Sequence, residues 1–144
     1  MLFSSKKPTD MEAIRFESDA HSVMDLYSSM AKADNLDVYL TQRGFLMESL
    51  DRIVTFQKKY PGVLKGKETP IKAAEKIKKE RLEFEKAFVD RYIKATLRKA
   101  VSYKTEKGRK NHINHANTVF MFSKDEFLPE TVKYFQSLIQ KLQQ

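Results

Sequence analysis

From Ile71 to Lys104 the chain runs for 34 residues without a glycine or a proline. A continuous α-helix of that length would extend about 50 Å at about 1.5 Å per residue. A compact domain of 144 residues is only about 35 to 40 Å across. The segment is therefore expected to break without a sequence signal, to protrude, or to extend across a partner, and the last option makes a homodimer a secondary expectation. Its start is sharply marked, because Thr69 is a favourable N-cap and Pro70 fits the first helical position, where its missing N–H does no harm. Phe84, Phe88, Val89, Tyr92, Ile93, Leu97, Ala100 and Val101 give the later half a broad apolar side suited to the middle of a bundle. The earlier half is thinner, with Ile71, Ala74, Ile77 and Leu82 opposite a face of Lys72, Lys76, Lys79 and Lys86.

The flanking segments are helical too. Thr9 with Glu12 forms a capping-box pattern, after which Ala13, Phe16, Ala20, Val23, Tyr27 and Met30 recur at helical spacing. Asp34 and Asn35 break that helix. A second is expected from Leu36 to Tyr60, carrying Leu36, Leu40, Met47, Leu50 and Val54 beside Tyr39, Leu46 and Ile53, and closed by Pro61 and Gly62. Beyond Lys104, the run KTEKGRKN reads as a turn or a helix start capped by Thr105, followed by a helix using Ile113, Ala116 and Phe120. Ser123 and Glu126 repeat the capping-box pattern, and Val132, Phe135, Ile139 and Leu142 form a last stripe after Pro129. No alternating strand pattern competes. The expected fold is all-α, a bundle of about five helices with one long central helix, built as a single helical domain over residues 1–144.

The absence of cysteine excludes disulfides, a thiolate nucleophile and cysteine-ligated zinc. The opening MLFSSKK has too few apolar residues for a secretory signal, and no uncharged apolar run approaches the roughly 18 to 20 residues that span a bilayer. No membrane span is expected, and the cytoplasm is the default compartment.

Charge is the most uneven feature. Residues 1–51 hold 5 basic and 9 acidic side chains, residues 52–112 hold 19 and 7, and residues 113–144 hold 3 of each. The whole positive excess thus lies in the middle. Two clusters dominate: Lys58 to Arg81 has nine basic residues against Glu68, Glu75 and Glu80, and Lys94 to Lys110 has seven against Glu106 alone. Such density fits phosphate neutralisation, and it also fits an acidic protein partner or an anionic membrane surface. Against all three stands the ordinary behaviour of lysine-rich helices as solvated faces, and Lys outnumbers Arg, the better phosphate fork. The residues expected to contact nucleic acid are Lys72, Lys76, Lys79, Lys104, Lys107, Arg109 and Lys110. On a straight helix the two groups would lie roughly 40 to 50 Å apart. Gly108 among Lys107, Arg109 and Lys110 suggests close anion approach near a helix start, although a glycine-containing interhelical turn explains the same run. It is not a phosphate-binding P-loop, because the second glycine and the preceding strand are missing.

His112 and His115 share a helical spacing, yet their neighbours are mainly Arg, Lys and Asn, which ligate cations poorly, so no metal and no cofactor is expected. No nucleophile elbow, dinucleotide loop or metal-binding Glu-x-x-His pair occurs, which argues against an enzyme. The expectation is a non-enzymatic helical binding module contacting nucleic acid through its basic middle. The alternative is a protein interaction or assembly module with a lysine-rich solvated surface.

Overall fold

Asn35 marks the first turn of the chain and also starts its second helix: its side-chain oxygen accepts the Val38 N–H at 3.2 Å, and its carbonyl accepts the Tyr39 N–H at 3.0 Å. In the computed structural model, which describes residues 7–64 and 69–144 except the side chains of 63, 64, 69–71, 73 and 74, six α-helices and no strand are present. They are α1 (Asp10–Lys32), α2 (Leu36–Lys59), α3 (Thr69–Lys79), α4 (Arg81–Ala100), α5 (Glu106–Phe122) and α6 (Pro129–Gln143). The fold is all-α. Among the described residues no helix is long and apolar enough to cross a membrane.

The long glycine-free segment is two helices, not one. The chain turns at Glu80 (φ −105°, ψ 26°), leaving α3 before it and α4 after it, and α4 ends at Ala100. No glycine or proline lies at this break. As a separate helix of 20 residues, α4 is about 30 Å long and does not outspan a compact domain. α3 begins at Thr69, where the start was expected, but the Thr69 cap itself and the apolar roles of Ile71 and Ala74 lie outside the described side chains.

The chain divides into two compact units, Met1–Met30 with Thr41–Lys79, and Ala31–Leu40 with Glu80–Gln144. In the first, α1 and α2 run antiparallel, as paired positions along them show. Glu12 meets Tyr60, Phe16 stacks on Phe56 with ring centroids 4.4 Å apart, and Asp19 meets Arg52. Phe16, Val23, Met30, Leu46, Leu50, Ile53 and Phe56 are buried, which is the stripe expected from a 3.6-residue period. The capping box at α1 forms as its residues require: the Thr9 N–H donates to Glu12, and the Glu12 N–H donates to the Thr9 hydroxyl, both at 3.1 Å.

The second unit is built around aromatic rings. Tyr92 of α4 lies 5.9 Å from Phe120 of α5 and 6.0 Å from Phe135 of α6, and Phe120 stacks on Phe135 at 3.8 Å. Tyr39 stacks on Phe88 at 4.2 Å, and Phe127 covers Phe88 and Phe120. Such offset and tilted ring pairs add about 0.5 to 1.5 kcal/mol each beyond the area they bury. The Tyr92 hydroxyl donates to the Ala116 carbonyl at 2.7 Å, so the buried phenol is satisfied, and burial pushes its pKa up to about 12. Arg91 ties residues 31–40 to α4 by donating from Nε to the Ala33 carbonyl at 2.7 Å.

The second capping box does not form. Ser123 closes α5, its backbone carbonyl accepts the Glu126 N–H in a short 3-10 turn, and its side chain caps nothing. Leu97 and Val101, expected to be core, are 43% and 66% exposed, because the buried stripe of α4 runs through Tyr92, Thr96 and Ala100 and leaves them to one side of it.

Candidate nucleic-acid interface

The corner between α4 and α5 is held by backbone and small polar groups. The N–H groups of Val101, Ser102 and Tyr103 donate to the carbonyls of Leu97, Lys99 and Ala100 at 3.0 to 3.1 Å, and the Ser102 hydroxyl donates to Lys99 O at 2.6 Å. These bonds satisfy three of the four carbonyls that the C-terminus of α4 leaves orphaned. Thr105 is extended and caps α5, its hydroxyl oxygen accepting the Gly108 N–H at 2.9 Å. Gly108 is glycine because of what presses on it. A Cβ there would stand 3.0 Å from the Thr105 hydroxyl and 3.3 Å from the Tyr103 ring.

That arrangement answers the anion-loop expectation. The Gly108 N–H is already taken by Thr105, and Arg109 donates to the Tyr103 carbonyl at 3.2 Å, so the glycine serves the turn. The cap has brought Lys104, Lys107, Arg109 and Lys110 together on one turn-and-helix start. Lys110 lies 3.5 Å from Glu106, but both are mostly exposed, and such an i, i+4 pair contributes only about 0.3 to 0.5 kcal/mol. Among the described residues Lys94, Arg98, Lys99, Lys104 and Lys107 form no ion pair, and all five are exposed. Lys94, Arg98 and Lys99 are the part of this cluster that was not singled out as binding residues. Their signal was present in the count of seven bases against one acid, and helical spacing places Lys94 and Arg98 one turn apart.

Lys72, Lys76 and Lys79 are exposed on α3, as their spacing of four and three predicts, with Ile77 buried. They belong to the first unit, and the α4–α5 corner belongs to the second.

His112 lies against the Tyr103 ring with centroids 5.5 Å apart, and its pKa is lowered by burial, with the charges of Lys99 and His115 acting in the same direction. It lines a cleft of about 310 Å³ with His115, Asp34, Asp37, Thr96 and Lys99. No group of three metal-ligating side chains occurs among the described residues. A cleft of about 480 Å³ along α1 and α2 is lined by Phe16, Phe56, Arg15 and Asp51 and by two charged pairs, Asp19 with Arg52 and Glu12 with Lys59. Nor does any buried side-chain polar atom among the described residues lack a hydrogen-bond partner, so none points into either cleft unsatisfied. No family model, no curated protein and no solved structure matches this chain.

Proposed function

We propose that the protein is a non-enzymatic helical binding module that contacts nucleic acid through the α4–α5 corner. The observation that carries this reading is the concentration of seven basic residues from Lys94 to Lys110 against Glu106, with five of them exposed and free of ion pairs. Unpaired lysines at a surface cost self-repulsion, which bound phosphates relieve while releasing their counterions. Lys104, Lys107, Arg109 and Lys110 contact phosphate in this reading together with Lys94, Arg98 and Lys99. Lys72, Lys76 and Lys79 supply a second, separately testable cationic face. A cytoplasmic setting accords with such a ligand.

A gel-shift series with DNA and RNA at two salt concentrations tests it. If about five phosphates are neutralised, affinity should fall roughly 10²- to 10³-fold between about 50 and 200 mM salt. Charge reversal at Arg98, Lys104 and Lys107 should abolish the shift. No binding at low salt removes the reading. A protein-interaction module is the second reading, favoured by Phe122 at 86% exposed and Val101 at 66%. Binding of that kind, including to an acidic protein through apolar anchors, would change little with salt.

A further inference from the structure

We infer that the nucleic acid taken by the α4–α5 corner is an unpaired strand, whose bases rest on Leu97, Val101 and Tyr103 while its phosphates meet the neighbouring lysines and arginines. This rests on the function proposed above and goes further by naming the strandedness. The corner is not uniformly cationic. Leu97, Val101 and Tyr103 are 43%, 66% and 40% exposed, and they interrupt the basic residues in the chain. Lys94 stands three residues before Leu97, and Arg98 three before Val101, so the exposed Leu97 of α4 and Val101 at its C-cap each have a cation beside them. Leu97 and Val101 are one turn apart, about 6 Å along the axis, and Tyr103 follows two residues later, where its ring is backed by Gly108 and His112.

A duplex keeps the faces of its bases inside the stack and offers such a surface phosphates and groove edges, where apolar side chains meet little more than a thymine methyl. An unpaired strand offers both its charge and its π-faces, the combination that cation-lined grooves with aromatic platforms take up without regard to sequence. Tyr103 suits the platform role because it is already held: its ring is pressed on Gly108, and its carbonyl is fixed by Arg109. Stacking on it therefore orders little that is not ordered beforehand.

Fluorescence anisotropy of the full chain tests this with a labelled mixed-sequence strand of about 12 nucleotides, as DNA and as RNA, and the same sequence as a duplex, at about 50 mM salt. The strand should bind at least about 10-fold tighter than the duplex in one or both chemistries, and the two strand probes report which sugar is preferred. Val101→Ser and Tyr103→Ala should each weaken strand binding about 5-fold or more, leaving duplex affinity and the salt slope unchanged, while Tyr103→Phe should retain binding. Val101 is exposed, so its variant stays informative if Tyr103→Ala disturbs the turn. Equal or tighter duplex binding, strand binding indifferent to Val101→Ser in the folded protein, or displacement of the strand by vesicles of anionic lipid would each overturn the inference. Duplex binding without strand preference leaves the proposed function standing, whereas no binding of any probe overturns both.

Discussion

Glu85 of α4 caps α6: its Oε1 accepts the backbone N–H of Leu128 at 2.8 Å, at a helix start with no side-chain cap of its own. The same oxygen accepts the Thr131 hydroxyl at 2.6 Å, and Oε2 accepts from Arg81 Nε at 2.8 Å. Glu85 and Thr131 are fully buried, and this carboxylate fixes where the last helix docks. A carboxylate at a helix N-terminus also meets the positive end of the helix dipole.

Glu85→Ala should therefore destabilise the protein by about 3 to 5 kcal/mol, since it orphans the buried Thr131 hydroxyl and the half-buried Leu128 N–H at about 1 to 3 kcal/mol each and leaves a cavity. Glu85→Gln keeps a carbonyl oxygen for Leu128 and Thr131 but loses the partner of Arg81, and should cost about 1 to 2 kcal/mol. Urea unfolding midpoints of the two variants check the difference. Equal losses would mean that the charge, and not the cap, matters.

Arg52 and Asp19 make the corresponding cross-helix tie between α1 and α2. Arg52 Nε and Nη2 donate to the Asp19 carboxylate at 2.8 to 3.1 Å, Nη2 also reaches Ser49 Oγ at 3.3 Å, and hydrogen bonding to Asp19 raises the arginine pKa. Asp19 is only 7% exposed, and this fork is its ion-pair partner. Arg52→Lys should cost about 1 kcal/mol because a point charge cannot reproduce the fork, and Arg52→Ala about 2 kcal/mol, the exposure of Arg52 keeping both modest. Thermal unfolding of the pair of variants measures it, and a lysine variant as stable as the parent would contradict the bidentate role.

Local signals and long-range ones were unequally legible in the sequence. Thr9 with Glu12 needed only residues three apart and forms as its spacing predicts, and of the turn or helix start read at Thr105 the structure has the helix start, with the Thr105 hydroxyl accepting from Gly108. Ser123 with Glu126 has the same spacing and fails, because the start of α6 lies at Leu128 and its cap comes from Glu85, 43 residues earlier in the chain. Helical periodicity found Ile113, Ala116 and Phe120, but it also assigned Leu97 and Val101 to the core, since the buried stripe at the end of α4 passes through Thr96, a polar residue that a hydrophobic pattern does not count. For the interface, charge counting located the cluster. It could not separate the paired Lys110 from the unpaired Lys104 and Lys107, which depends on where the α5 cap places each side chain.

The Glu12 carboxylate joins the α1 cap to the end of α2, and it makes the clearest prediction for pH. Its oxygens accept from the Tyr60 hydroxyl at 2.7 and 2.9 Å, from the Thr9 N–H and from Lys59 Nζ at 3.1 Å. The Tyr60 bond acts most strongly, followed by the Thr9 backbone and Lys59, and together they hold the carboxyl pKa at about 2, down from the ordinary 4.5. A group with a depressed folded pKa binds protons more readily in the unfolded chain, so its stabilisation is complete above the unfolded value and is lost as pH falls. The contribution of Glu12 should therefore be constant at neutral pH and disappear between about pH 4.5 and about pH 2. Glu12→Gln should be less stable than the parent at pH 7 and should close that gap across the same window. Tyr60→Phe, which deletes the strongest donor, should move the Glu12 titration upward. A carbon-detected NMR titration of the Glu12 carboxyl reads this directly, and a midpoint at the ordinary value in the parent protein would show that the cap and the helix end do not share this residue.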